Sequence, residues 1–278
     1  QIAGQHRSTQ RGRGMEFSDV RQYQAGDDVR NIDWRITART QQTHTKLFEE
    51  EKERPVFILL DLRSSLFFGS NQQFKSFLAA KLAAFIGWCA FHNRDRIAAL
   101  IIGNNIHQEL RPRQGKHALL GLLQAIHKFN HLNQSPLESS NQELSKLLSE
   151  AVRVNRPGSV FYVLSDYSDF NEECAKSLSL LSRHSDVNIL DISDPLEHHL
   201  PEDSELTFSN GAQRLRLNGK ENAKQYEKMF KRAKASLKKV AERCNCKYNA
   251  ISTQTAWEIN LAKLFAHKKS RSRTGGGR

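Results

Sequence analysis

Pro55–Ser70, PVFILLDLRSSLFFGS, is the stretch whose reading decides the fold. Val56–Leu60 is an unbroken apolar run, the pattern of a strand buried on both faces of a central sheet. It ends on an acid, Asp61, followed by two serines and Gly69, as a strand does when its carboxyl end opens into a turn. Downstream, Gly69–Phe91 is predicted helical, with Phe74, Phe77, Leu78, Leu82, Phe85 and Ile86 at three- and four-residue steps. Asp95–Ile102 is a second strand, with Ile106–Arg111 as its hairpin partner across Gly103-Asn104-Asn105. Lys116–Lys128 follows as a helix with Leu119, Leu120, Leu123 and Ile126 on one side, then a helix over Glu138–Arg153. Ser159–Asp166, SVFYVLSD, is again an apolar strand ending on an acid.

The alternation continues with a helix over Asn171–His184, a strand over Asp186–Ile192 and an irregular Pro195–Pro201. Leu206–Leu217 reads as two short strands around the turn dipeptide Asn210-Gly211. Glu221–Arg243 is a long amphipathic helix, its Tyr226, Phe230, Ala233, Leu237, Val240 and Cys244 separated by alternating steps of four and three. A strand over Lys247–Ser252 and a helix over Trp257–Ala266 close the pattern. Strands alternating with helices imply an α/β class, a doubly wound and mostly parallel sheet. Such sheets bind ligands outside the carboxyl ends of their strands, at the point where strand order reverses.

Upstream, Gly14–Arg39 (GMEFSDVRQYQAGDDVRNIDWRITAR) fits neither helical nor strand periodicity. Acids, bases and aromatics alternate there closely enough to suggest an ion-pair and stacking cluster. Gly12, Gly14, Glu16, Phe17, Arg21, Tyr23, Gly26, Asp27, Asp28, Arg30, Ile32, Asp33, Trp34, Ala38 and Arg39 form a spaced signature. On these positions the chain resembles the bacterial domain of unknown function 58 family, from about His6 to Phe265. The resemblance implies a von Willebrand factor A-type domain with the signature as an appended module. The expected layout is a signature module at 1–54 packed on the core, the A-like domain at 55–266 with a small β-hairpin insertion, and a disordered basic tail at 267–278.

The resemblance also implies a metal-ion-dependent adhesion site on the sheet's carboxyl edge. Its pattern is D-x-S-x-S after the first strand, a Thr from a middle loop and an Asp after a later strand. Hard oxygen ligands of that kind suit Mg²⁺ or Mn²⁺. Here Asp61 and Ser65 match, and Asp166 supplies the later acid, with Asp169 nearby. Arg63 stands where the first Ser belongs, and Arg111–Leu120 offers Lys116 and His117 but no Thr. Two readings follow. In one, Asp61, Ser65 and Asp166 hold a cation. In the other, a salt bridge from Arg63 to Asp61 and Asp166 closes the site, because a guanidinium there repels a divalent ion. The second is the expectation, with no bound cofactor.

The signature likewise has two readings. Glu16, Asp27, Asp28 and Asp33 form an acid cluster, but Arg21, Arg30, Arg35 and Arg39 balance them one for one. Balanced charges neutralise rather than poise one another, so structural ion pairs around Tyr23 and Trp34 are expected. Exposed Arg21, Tyr23, Arg30 and Trp34 would instead form a docking surface. Gly26 before Asp27-Asp28 suggests a tight turn capping a short helix.

Composition narrows the classes. The chain of 278 residues carries a net charge of +12. The whole excess lies in residues 220–278, with 16 basic and 4 acidic residues. Such a region attracts nucleic acid, an anionic membrane surface or an acidic protein. The apolar run Phe77–Phe91 is too short for a bilayer and is interrupted by Lys81. Of four cysteines, Cys89 reads as core, and Cys244 and Cys246 lack the second pair that a structural zinc site needs. Sparse cysteine fits a reducing, cytoplasmic location. No P-loop, H-E-x-x-H, G-x-S-x-G or dinucleotide fingerprint is present.

Family resemblance implies a non-enzymatic adaptor or co-chaperone. Its expected partners are a MoxR-type AAA+ ATPase, other von Willebrand A-domain proteins and a client protein. The alternative is binding of nucleic acid or an anionic surface through the basic C-terminal helix and tail.

Overall fold

A computed structural model describes residues 15–50, 54–70, 73–132, 143–199, 205–209, 214–256 and 258–261. The chain divides into two compact units, Gln1–Glu53 and Arg54–Arg278.

In the first unit, β1 (Met15–Gln22) pairs antiparallel with β2 (His44–Glu50). Between them lie a 3₁₀ turn, Val29–Asn31, and helix α1, Trp34–Thr40. Two signature acids start these turns. Asp28 accepts from the Arg30 N–H, and Asp33 accepts from the N–H groups of Arg35 and Ile36. Gly26 before Asp27-Asp28 predicts a capped helix, as found, whereas the mixed pattern of Gly14–Arg39 predicts no strand. Alternation of charge with aromatics hid β1, because Met15–Gln22 carries no sustained run of apolar residues at a period of two.

The second unit contains β3 (Pro55–Asp61), α2 (Lys75–His92), β4 (Arg96–Ile102), β5 (His107–Arg113), α3 (Lys116–Leu132) and α4 (Leu144–Val154). It continues with β6 (Val160–Ser165), α5 (Glu172–Ser182), β7 (Asp186–Ser193), α6 (Pro195–His198), β8 (Glu205–Ser209), β9 (Arg214–Asn218), α7 (Gly219–Arg243) and β10 (Lys247–Ser252). Six strands form one sheet in the order β10-β7-β6-β3-β4-β5, parallel except for β5. β8 and β9 form the small antiparallel pair. This is a doubly wound α/β fold of von Willebrand factor A type.

β3 is central and buried along Val56–Asp61, and its side chains divide between two cores. Val56, Ile58 and Leu60 face α2 and α3, whereas Phe57 and Leu59 face the side covered by α4, α5 and α7. Phe57 stacks on Phe161 of β6 at 4.8 Å. Gly87 lets α2 meet α3 closely, since an added Cβ would lie 2.4 Å from Leu122.

Several elements differ from expectation. α2 begins at Lys75, not Gly69, because the chain first makes a 3₁₀ turn at Ser64–Leu66 and then doubles back. A Cβ on Gly69 would sit 2.4 Å from the Gln73 carbonyl oxygen. Phe74 and Phe77 lie outside the core, which instead takes Leu78, Ala79, Leu82, Ala83 and Ile86. On α3, Leu119, Leu122, Ala125, Ile126 and Phe129 are buried and Leu120 is exposed. Residues 195–198 are helical, started by a capping box between Asp194 and Glu197. On α7, Leu237 and Val240 are buried, Tyr226, Phe230 and Cys244 are half-buried, and Ala233 is exposed. The start of the expected Glu138–Arg153 helix, the Asn210-Gly211 turn and the 267–278 tail lie outside the described residues.

Candidate functional site

β3 and β6 are the neighbours at which strand order reverses, and their carboxyl ends place Asp61 beside Ser165 and Asp166. Asp61 is fully buried. Its Oδ1 accepts from the Arg63 backbone N–H at 3.0 Å and from Arg63 Nε at 2.9 Å. Its Oδ2 accepts from Arg63 Nη2 at 2.7 Å and from Ser165 Oγ at 2.7 Å. The far side of the same guanidinium grips Asp169, Nη1 to Oδ2 at 2.6 Å and Nη2 to Oδ1 at 2.9 Å. Arg63 is thus bidentate to two carboxylates, the geometry for which a planar guanidinium is suited and an ammonium is not. Asp169 Oδ2 also accepts from the Leu144 N–H at the start of α4.

A second fixed cation lies alongside. Lys75, the first residue of α2, is buried to 1 % exposure, and its Nζ donates to Asp166 at 2.9 Å and to Glu197 at 2.6 Å. Lys234 of α7 donates to the Asp166 carbonyl at 2.7 Å and to Asp191 Oδ1 at 2.5 Å, and Tyr248 donates to Asp191 Oδ2 at 2.6 Å. Further along the edge, Asp194 accepts from Ser70 Oγ at 2.5 Å and Thr253 Oγ1 at 2.6 Å. Tyr167, directly after Asp166, has a φ of 54°, left-handed for a bulky side chain. Its N–H donates to Ser165 Oγ and its hydroxyl to the Val163 carbonyl, which hold the strained turn in place.

These contacts separate two neighbouring acids. Burial pushes the Asp61 carboxyl above its ordinary value, against the opposing pull of Arg63. Burial is the largest single effect on Asp166 and opposes its charge, but Lys75, the Ser168 N–H and Lys234 together outweigh it and hold that carboxyl low. Asp169 is likewise lowered: burial is the largest single effect and raises it, but the Arg63 hydrogen bonds, the Arg63 charge and the Leu144 N–H together outweigh it. Burial disfavours both cations, yet the facing carboxylates drive Arg63 and Lys75 upward, so both stay charged.

The donor set does not fit a divalent cation. Asp61 faces Arg63 and Asp166 faces Lys75, so each acid of the adhesion pattern already has a tethered cation. The ion pairs differ from the expected Arg63 bridge to Asp61 and Asp166: Arg63 reaches Asp61 and Asp169, whereas Asp166 pairs with Lys75. Ser65 does not join, and its buried Oγ has no hydrogen-bond partner. Lys116 and His117 are exposed. Lys75, Lys234, Asp191, Asp194 and Glu197 were missed by the sequence reading. An acid inside the apolar strand DVNILDIS was the one legible signal, because buried Asp is rarely without a partner.

In the first unit, Arg21 pairs with Asp27 at 2.7 Å, Lys46 approaches Asp33 at 3.8 Å, and Arg30 lies 3.9 Å from Asp28 with both side chains exposed. Asp27 is lowered by the Gln24 N–H and by Arg21, although desolvation opposes this. The pairing is therefore less complete than a one-for-one match, and Lys46 takes a place expected for an arginine. Tyr23 is half-buried, and Trp34 is 69 % exposed rather than stacked inside a cluster.

A family model described as "Protein of unknown function DUF58" matches residues 19–240. "Uncharacterized protein Mb1516" of Mycobacterium bovis and "Uncharacterized protein Rv1480" of Mycobacterium tuberculosis are each 27% identical over 201 residues, covering 72% of this chain. The chain spans 62% of the length of these relatives. Among solved structures, one described as an aerotolerance-related membrane protein from Bacteroides fragilis aligns with a TM-score of 0.50 at 14% identity, covering 75% of this chain and 96% of that one. Another, described as von Willebrand factor type A from Catenulispora acidiphila, gives 0.47 at 11% identity, covering 81% and 43%. Such identities bear on fold alone. With the match running from the signature through the sheet to α7, the chain belongs to the DUF58 family.

Proposed function

We propose that this chain is a non-enzymatic interaction protein, an adaptor whose A-like domain presents a client to, or docks on, a MoxR-type AAA+ ATPase. The observation that carries the reading is the Arg63 guanidinium shared between Asp61 and Asp169. A guanidinium fixed on two carboxylates is neither a general acid nor a general base at neutral pH, and it fills the place of a Lewis acid. What the edge offers is a hydrogen-bonded surface on which Asp169, held by Arg63 and the Leu144 N–H, stays open to solvent at 35 % side-chain exposure. Polar groups held in this way suit recognition of another protein. The choice of a MoxR-type ATPase, other von Willebrand A-domain proteins and a client as partners rests on the family resemblance, as does a cytoplasmic location. Among the described residues no helix is long and apolar enough to cross a membrane.

The test is binding between the purified chain and the MoxR-type ATPase encoded nearest its gene, with ATP, with ADP and without nucleotide. Nucleotide-dependent binding that weakens in Asp169→Lys is expected. No binding in any state would contradict the adaptor reading.

A second reading rests on α7, where Lys224, Lys228, Lys231, Arg232 and Ala235 line one open surface with Glu227. Glu227 pairs with Lys231 at 2.5 Å, which removes part of the positive field. Nucleic acid or an anionic surface would bind there with steep salt dependence. A duplex DNA titration at two salt concentrations separates this reading from the first.

A further inference from the structure

The outward face of α2 carries aromatic residues where a surface helix normally carries polar ones. Its inward face, through Leu78, Leu82 and Ile86, is buried in the core. Facing outward, Phe77 is 52 % and Trp88 is 57 % exposed, and Phe74, at the helix start, is 54 % exposed. Half-buried Ala84 and Phe91 continue the same line, with the Trp88 and Phe91 rings 6.0 Å apart. Positions 74, 77, 81, 84, 88 and 91 step by three and four, so they form one stripe along the helix. Lys81 stands near its middle. Its ammonium lies 4.5 Å from the Phe77 ring centroid and 3.4 Å from Gln73 Oε1, and among the described residues no carboxylate forms an ion pair with it.

We propose that this stripe docks one helix of a partner protein, apolar at three- and four-residue steps and carrying an Asp or Glu near its centre to meet Lys81. Three half-exposed aromatics offer about 300 Å² of apolar surface, within the size range of patches that mark interaction sites. A stripe about 27 Å long, one side chain wide, suits side-by-side pairing with one helix, as in a coiled-coil seam, with Trp88 as the anchor. Charge complementarity selects the occupant. A second copy packed antiparallel on the same stripe would bring two Lys81 ammonium groups together at the two-fold axis with no acid between them. An acid on a different helix pairs with Lys81 as water leaves, which is where a charge pair gives most specificity. The N-terminal end of α2 carries Lys75, so the stripe begins beside the ion-paired edge.

This inference rests on the interaction-protein reading but not on the identity of the ATPase. Its test titrates the full chain with two fluorescently labelled, 20-residue, Leu-striped helical peptides that differ only in a central Glu or Lys. The Glu peptide should bind about tenfold more tightly than the Lys peptide. That preference should invert in Lys81→Glu, and binding of both should be lost in the Phe77→Ser/Trp88→Ser variant. Absence of saturable binding, or equal affinity for the two peptides, would overturn the proposal. So would a dimer that dissociates in the double variant, by light scattering, or double-variant-sensitive binding to neutral phosphatidylcholine vesicles. A negative peptide result leaves ATPase binding by the carboxyl edge unaffected, so the two failures are distinguishable.

Discussion

Arg63 holds Asp61 through two parallel hydrogen bonds, Nε to Oδ1 at 2.9 Å and Nη2 to Oδ2 at 2.7 Å, at the carboxyl end of the central strand. Asp61 is fully buried, so the pair cannot be broken by halves without leaving a charge in the core. Arg63→Met is expected to destabilise the protein by about 3–5 kcal/mol. Arg63→Lys should recover little, because an ammonium cannot span Asp61 and Asp169 bidentately. Urea denaturation of the wild type and both variants checks this.

Lys75 obeys the same logic against Asp166. Lys75→Met should cost about 3–5 kcal/mol, whereas Lys75→Met/Asp166→Asn should be milder than the sum of its single changes. A double-mutant cycle by thermal melting gives the coupling. Additive losses would mean that the pair is not acting as a unit.

Acid and base act on different members of the edge. Asp166, Asp169 and Asp194 are held below the ordinary carboxylate value, so each contributes stability above about pH 4 that is lost as pH falls through its folded value. Asp61, raised by burial, has the opposite sign: stability from it grows as pH falls from its folded value towards about 4. With three lowered acids against one raised, net stability should fall in acid, and Asp169→Asn should flatten that limb. Lys75, raised by its carboxylates, contributes fully below about pH 10.4, and this contribution is lost as pH rises through its folded value. Melting temperatures from pH 2.5 to 11 measure both limbs.

Thiol reactivity should divide the four cysteines. Burial pushes Cys174 up to about 11 and Cys246 up to about 12, whereas Cys89 and Cys244 are half-buried. At pH 8, iodoacetamide is expected to modify Cys174 and Cys246 only after unfolding, since the thiolate is the reactive form. Mass spectrometry of native and denatured samples shows the order.

Strands buried on both faces were legible in the sequence, since β3, β4 and β6 are written as apolar runs and β7 as one interrupted only by Asn188 and Asp191, and so were the helices packed on them. α2 was legible as a helix but not in its facing. Phe74 and Phe77 satisfy the same three- and four-residue steps as the core residues, and periodicity does not say which apolar face turns inward. Asp61 and Arg63 were legible as a pair two residues apart at a strand end, but Asp166 was read as the second partner and Asp169, which takes that place, only as a neighbour. Lys75 was not legible, because a lysine opening an apolar helix looks like an ordinary polar start. Its partners Asp166 and Glu197 lie 91 and 122 residues away in sequence. β1 was missed because Met15–Gln22 shows no sustained apolar alternation.

The most direct test of an edge closed by its own cations is calorimetric titration of the full chain with Mn²⁺ and Mg²⁺ beside Asp61→Ala and Arg63→Ser. The last variant restores the D-x-S-x-S pattern around the unpartnered Ser65 hydroxyl. The expected result is no saturable binding by the wild type and a gain of Mn²⁺ binding in Arg63→Ser. Saturable binding by the wild type that disappears in Asp61→Ala would contradict the account.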